Sequence, residues 1–157
     1  MNIERLPNIV KFMDSALNGI KLIEKKVIGG IAIHNLEKEI WTVYKDCESA
    51  VFLVKLEISD VEAVDNTKME ADIDRPEYAI VLAENHLNNA SQLINERKMG
   101  DALEQLRSAR NIMAEVYARI KRENLHAIRK SRKRKDKSDQ QQNGNRAIIK
   151  NDHFKET

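Results

Sequence analysis

The sequence is poor in residues that break helices. Its 157 residues include only 5 Gly, 2 Pro, 3 Phe, 3 Tyr and 1 Trp, whereas 33% of them are charged. Few glycines and prolines, together with many Leu, Ala, Glu, Lys and Arg, favour helix over sheet. The composition therefore predicts an all-α protein, long enough to form one domain with its own core.

Cysteines and long apolar runs are also scarce. Cys47 is the only cysteine, so the chain can form neither an intramolecular disulfide nor a cysteine-ligated zinc site, and a reducing compartment is expected. The longest apolar runs, "VIGGIAI" and "AVFLV", are far shorter than the ~20 residues of a membrane span. No basic region followed by an apolar stretch opens the chain, which argues against a signal peptide. These features predict a cytoplasmic protein, or a nuclear one if the source is eukaryotic.

The two parts of the chain carry opposite charge. Residues 1–118 contain 14 Lys/Arg and 20 Asp/Glu, a net charge of −6. Residues 119–157 contain 13 Lys/Arg and 5 Asp/Glu, a net charge of +8. An acidic body followed by a basic end is typical of a protein with an interaction tail.

Apolar residues recur every three or four positions in four segments, which predicts four amphipathic helices. Pro7 suits the first turn of the first helix, and Gly29 and Gly30 can end it. In the second segment, Trp41, Phe52 and Leu53 widen the apolar face, which predicts the most buried of the helices. Residues 58–73 contain five acids and one lysine and predict a long connection that could cross from one end of a bundle to the other.

The third and fourth segments predict an antiparallel hairpin over residues 74–124. Asp74 is expected to cap the third helix, with Glu77 completing a capping box. Gly100 is expected to separate the two helices, with Asp101 and Glu104 forming a second box. The positions that recur at helical spacing are, in the third helix, Ile80, Ala83, Leu87, Ala90 and Ile94, and in the fourth, Leu103, Leu106, Arg110, Met113, Tyr117 and Ile120, with Val116 alongside.

The predicted architecture is a four-helix bundle of two antiparallel hairpins. Residues 1–128 would form the acidic bundle and residues 129–157 a basic and polar tail, largely disordered. The fourth helix is expected to extend to about residue 135. An exposed Ile128 on this extension would gain by pairing, so a homodimer is a possible arrangement.

The basic run at the start of this tail is the main candidate binding site. Its cations are Arg129, Lys130, Arg132, Lys133, Arg134, Lys135 and Lys137, and with Asp136 they give +6 within nine residues. Such a density attracts phosphates, so binding to nucleic acid without sequence specificity is the leading hypothesis. A structural or adaptor bundle that binds a protein partner, with the tail serving solubility, is the alternative. An anionic membrane surface and the acidic 58–77 region of the same or a neighbouring chain are further candidates.

A third hypothesis rests on Arg119 and His126. The stretch "RIKRENLH" places them seven residues apart, so about two helical turns bring them to one face. This spacing resembles the loose motif of HEPN ribonucleases, which are small helical bundles. The resemblance implies that Arg119 holds the scissile phosphate and that His126 acts as general acid or base. The chain departs from that motif at Ile120, where a polar residue is usual.

No cofactor or metal site is expected. Glu123 and His126 have the Glu-x-x-His spacing of di-iron bundles, but such sites need two pairs and two further glutamates. The sequence contains no phosphate-binding loop, dinucleotide fingerprint, zinc-protease motif or nucleophile elbow. His34 is interpreted as a residue next to the second helix, His86 as a partly buried histidine with a hydrogen bond, and Cys47 as a buried, inert thiol.

Overall fold

The computed structural model describes residues 5–58 and 74–153, with side chains up to Arg146. It contains four α-helices, α1 (Arg5–Ile28), α2 (Glu37–Glu57), α3 (Pro76–Asn95) and α4 (Met99–His153), and one turn of 3-10 helix at Ile33–Asn35. These ranges contain no strand, and the predicted all-α class is confirmed. None of their helices has both the length and the apolar character to cross a membrane.

The chain divides into two compact units. The first, residues 1–121, contains α1 to α3 and the first part of α4. The second, residues 122–157, contains the remainder of α4. The hydrophobic core and the packing between helices belong to the first unit.

Helices α1 and α2 form an antiparallel hairpin. The Lys26 ammonium lies 2.9 Å from Glu39 Oε1 at one end of the pair, and Arg5 donates a hydrogen bond of 3.2 Å to the Leu56 carbonyl at the other. The helices approach closely at Gly19, where a Cβ atom would lie 2.6 Å from Val43 Cγ2. Because Val43 is fully buried and β-branched, it could not easily move aside, so the approach depends on a glycine at this position.

Helix α4 packs against both α2 and α3. Arg110 Nε lies 3.6 Å from Glu48 Oε2 on α2, and His86 Nδ1 on α3 lies 2.7 Å from Gln105 Oε1 on α4. Since α1 also packs against α3, the two antiparallel hairpins form the predicted four-helix bundle.

The end of α2 and the start of α3 lie at opposite ends of this bundle. Arg5, at the start of α1, bonds to the end of α2, whereas Val27, near the end of α1, lines a pocket with Glu77 at the start of α3. The connection predicted for residues 58–73 lies outside the described residues, apart from Ile58.

The predicted apolar stripes form the core. The five positions predicted for α3 are all buried, as are those predicted for α4 except Arg110 and Tyr117, which are half-buried. The prediction that Trp41 and Phe52 widen the buried face of α2 is wrong, because they are 41% and 59% exposed, whereas Leu53 is half-buried against the core. The buried face of α2 is the narrower stripe of Ile40, Val43, Cys47, Ala50, Val51 and Val54.

Helix α1 ends at Ile28, directly before the two glycines that the sequence predicted would end it. Gly30 has a left-handed φ of 94°, its N–H bonds to the Val27 carbonyl, and the Ile31 N–H bonds to the Lys26 carbonyl. These are the two hydrogen bonds of a Schellman motif, in which glycine is favoured at the left-handed position. Pro7 lies in the first turn of α1, as predicted.

The predicted capping of α3 and α4 is wrong. The N-cap of α3 is Arg75, without a side-chain cap, so Asp74 and Glu77 form no capping box. Helix α4 begins at Met99, which places Gly100 and Asp101 inside its first turns rather than at a break.

The turn between α3 and α4 lies earlier, at Arg97. This residue has a φ of 63°, and its N–H bonds to the Ile94 carbonyl while the Lys98 N–H bonds to the Leu93 carbonyl. A second Schellman motif therefore ends α3, with arginine where glycine would be expected. The missing glycine is the physical reason why the sequence pattern placed the turn near Gly100.

In the structure, α4 continues past residue 135, where the sequence predicted its end, to His153. All side chains from Leu125 to Arg146 are exposed. A helix that buries nothing gains no stability from tertiary packing. The largely disordered state expected for the tail of residues 129–157 stays a prediction, and residues 154–157 lie outside the described range.

Candidate nucleic-acid interface

The second unit presents a row of basic side chains along one side of α4. Arg122, His126, Arg129, Lys133 and Lys137 follow one another at steps of four, three, four and four residues. Because 3.6 residues complete a helical turn, these steps keep the side chains on one face. Lys130 and Arg134 lie along one edge of the row. We call these seven residues, six of them permanent cations at neutral pH, the basic face.

All seven basic residues predicted from the sequence, Arg129, Lys130, Arg132, Lys133, Arg134, Lys135 and Lys137, are exposed. The helix separates them into two groups. Five belong to the basic face, whereas at 100° per residue Arg132 lies about 130° and Lys135 about 170° from its centre. Arg146 lies on the same far side as Arg132 and Lys135.

The dimensions of the basic face suit a nucleic-acid backbone. From Arg122 to Lys137 the helix rises about 22 Å at 1.5 Å per residue. Duplex DNA carries roughly 13 phosphate charges over that length, at one per 1.7 Å. Six cations on one side of a single helix can therefore contact several phosphates at once. Because all seven side chains of the basic face are exposed, a long ligand can reach the face along its whole length.

A cluster of aromatic residues lies in the first unit. The Trp41 and Tyr44 rings of α2 have centroids 5.2 Å apart, and the Tyr117 ring of α4 lies 4.8 Å from Trp41. Lys121 Nζ lies 5.5 Å from the centroid of the Tyr117 ring. Trp41 is 41% exposed, and an exposed indole can stack on an unpaired base. Sequence analysis missed this cluster, since only the packing of α2 on α4 joins Trp41 to Tyr117.

The two residues of the ribonuclease hypothesis lie in different units. Arg119 belongs to the first unit and is half-buried, whereas His126 belongs to the second and is exposed. His126 lies within the basic face. Their proposed catalytic roles stay a prediction.

His34, His86 and Cys47 lie in the first unit, outside the basic face. His86 is half-buried and hydrogen-bonded to Gln105, as predicted. Cys47 is fully buried, as predicted, and burial raises the pKa of its thiol to about 12. A raised pKa disfavours the reactive thiolate, and the inertness of this thiol stays a prediction. His34 lies in the 3-10 turn before α2. Among the described residues, no three His, Cys, Asp or Glu side chains converge as a metal site would require.

A pair of carboxyl groups joins α1 to α3. Glu24 hydrogen-bonds to Glu84, and this bond, with burial and the negative charge of Glu84, raises the pKa of Glu24 to about 7. Two carboxyl groups can share a hydrogen bond only when one of them is protonated. The nearby Lys21 has a weaker, opposing effect on the pKa.

The carboxyl pair should make the stability of the bundle depend on pH. The raised pKa means that the folded protein binds more protons than the unfolded chain between about pH 4.5 and pH 7. The stability contributed by the shared proton is therefore fully present below pH 4.5 and is lost as pH rises through 7. We expect the melting temperature to fall from pH 5 to pH 8, and Glu24→Gln to remove part of this fall. Glu104→Gln, at an exposed position of α4, is the control and should leave the fall unchanged.

Comparisons of the chain with protein-family models, curated proteins and solved structures give no significant match.

Proposed function

We propose that the protein is a non-enzymatic helical module that binds nucleic acid through the basic face of α4, without sequence specificity. The observation that carries this proposal is the alignment of six exposed cations on one side of a continuous helix. Contacts from Lys and Arg to phosphates position a protein on nucleic acid without reading its bases. The same proposal places the protein in the cytoplasm, or in the nucleus if the source is eukaryotic.

The aromatic cluster supports a contact with unpaired bases in addition. Trp41 offers a partly exposed ring next to Tyr117 and Lys121. Stacking tolerates any base, because every base has a π-face. This contact would therefore favour single strands over duplexes while keeping the binding independent of sequence.

Deleting residues 129–157 tests the proposal. The truncated chain loses five of the six cations of the basic face but keeps α1, α2, α3 and the aromatic cluster. We expect it to lose its affinity for labelled duplex DNA in fluorescence anisotropy at low salt. Residual binding to single-stranded RNA would be assigned to Trp41 and its neighbours and should disappear in the truncated chain carrying Trp41→Ala.

The control is the melting curve of the truncated chain, which should retain the helical content and transition of the bundle. Duplex affinity equal to that of the full chain, in a truncated chain that is folded, would refute the proposal. The tail would then act in solubility or in binding a protein partner.

A further inference from the structure

Two large aromatic side chains project from the same face of α2. Trp41 is 41% exposed and Phe52 is 59% exposed. They are eleven residues apart, which is close to three full turns, so they share one face and lie about 16.5 Å apart along the helix axis. Apolar surface that recurs on one exposed face is typical of a binding site. Both residues belong to the first unit, so this face shares no residue with the basic face of α4.

Two lysines lie on the same face of α2. Lys45 follows Trp41 by four residues, Lys55 follows Phe52 by three, and both lysines are exposed. At 100° per residue, the four side chains fall within an arc of about 40°. We call Trp41, Lys45, Phe52 and Lys55 the α2 track. Along the helix, aromatic rings and cations therefore alternate.

The contacts with α4 favour an anionic ligand on this track. Glu48 lies on the same face of α2, but its Oε2 atom is 3.6 Å from Arg110 Nε of α4, which offsets its charge. Beside Trp41, the Tyr117 ring lies 4.8 Å away, and Lys121 Nζ lies 5.5 Å from the centroid of that ring. Lys121 is exposed and adds a third cation next to the first aromatic ring of the track.

We propose that the α2 track binds single-stranded nucleic acid over several nucleotides. One base stacks on Trp41 and another on Phe52, while Lys45 and Lys55 bind phosphates of the same strand. Stacking platforms combined with cations along a surface bind single strands without sequence preference. The inference rests on the proposed function in that the protein binds nucleic acid, and it adds a second surface with its own class of ligand.

The spacing of the two rings determines the length of strand that the track needs. At 3.4 Å per nucleotide of a stacked strand, the distance from Trp41 to Phe52 corresponds to roughly five nucleotides. A uridine decamer is therefore long enough to reach both rings. A duplex offers no unpaired base to either ring, so its binding should not depend on Phe52.

Titration of the full chain with a uridine decamer, followed by tryptophan fluorescence, tests the proposal. Trp41 is the only tryptophan, so its fluorescence reports occupancy of the α2 track. We expect a saturable change, with an affinity lowered at least about fivefold by Phe52→Ala, because that is the smallest loss expected when one base–aromatic stack is removed. Tyr78→Ala is the control. It removes a 73% exposed ring from α3 and should leave the affinity unchanged.

The salt dependence of decamer binding tests the two lysines. Each phosphate contact on a single strand contributes about 0.7 to the slope of log affinity against log salt. The double variant Lys45→Ala with Lys55→Ala should therefore reduce the steepness of this slope by about 1.4. Lys11→Ala with Lys25→Ala, at exposed positions of α1, removes the same charge and should leave the slope unchanged.

Three results would overturn the inference: no change in Trp41 fluorescence with the decamer, unchanged decamer affinity in Phe52→Ala, or an equal loss in Tyr78→Ala. Binding of duplex DNA distinguishes these results from a failure of the proposed function. A chain that binds duplex DNA, but whose binding of the decamer is independent of Phe52, keeps the basic face and loses the α2 track. A chain that binds the decamer through Phe52 but does not bind duplex DNA keeps the track and loses the basic face.

Discussion

Reversing three charges on the basic face should weaken duplex DNA binding by about 10²–10³-fold at 0.1 M salt. The variant combines Arg129→Glu, Lys133→Glu and Lys137→Glu, all exposed side chains on one side of α4. Each phosphate contact increases the affinity for DNA by a factor of roughly eight at this salt concentration, because counterion release contributes about 0.9 of a decade of affinity per contact. Losing three contacts therefore removes two to three decades of affinity, measured by fluorescence anisotropy.

The far side of the same helix provides a matched control. Arg132→Glu, Lys135→Glu and Arg146→Glu change the net charge by the same amount, at exposed positions turned away from the basic face. This variant should lose less than about tenfold in affinity, because long-range attraction is weakened by screening. Equal losses in the two variants would show that the segment binds as an unordered polycation and would contradict the basic face.

Truncating a core leucine should have the largest effect on stability. Leu87 of α3 is fully buried, and Leu87→Ala is expected to lower the free energy of unfolding by about 2–5 kcal/mol, through lost apolar burial and the cavity left behind. For a chain of this size, this corresponds to a decrease in melting temperature of roughly 5–15 °C. Thermal unfolding followed by circular dichroism measures it.

Leu22→Ala is the control for this substitution. Leu22 lies on α1 and is 45% exposed, so the same change of side chain should alter the free energy of unfolding by less than about 0.5 kcal/mol. Similar destabilisation by both variants would mean that the face of α1 carrying Leu22 is covered in solution, and the assignment of the core to the stripes facing α2 and α3 would be wrong.

The apolar periodicity was sufficient to predict the helices and most of the core. Stripes such as Ile80, Leu87 and Ile94 recur at helical spacing without interruption, so the buried face of α3 follows directly from the sequence. The spacing of Arg129, Lys133 and Lys137 is also helical, but residues 129–157 were expected to be a largely disordered tail, so the basic face was recognised only once the segment was seen to be helical. Both features depend on residues of one helix, whose relative positions the helical repeat determines.

Features that depend on packing between helices could not be predicted in the same way. Trp41 was expected to be buried, whereas it is partly exposed beside Tyr117, a residue 76 positions later in the sequence. The Glu24–Glu84 pair likewise joins two helices. Arg107 is only 4% exposed, although a charged residue is expected on the outside of a helix. Periodicity assigns a face to a residue but does not identify which residue of another helix meets it.

Helix ends were the least predictable local feature. Gly30 provides the left-handed residue that ends α1, and glycine is the usual choice there. The same position at the end of α3 is occupied by Arg97, which sequence patterns do not identify as a helix terminator. The predicted turn was therefore displaced toward Gly100.

The salt dependence of duplex DNA binding by the full chain tests the central proposal most directly. If the six cations of the basic face each meet a phosphate, a plot of log affinity against log salt should have a slope of roughly −5. The slope should be independent of the DNA sequence, because phosphates are the same in every sequence. A slope near zero, or an absence of binding at low salt, would contradict the account and would leave α4 without a role in nucleic-acid binding.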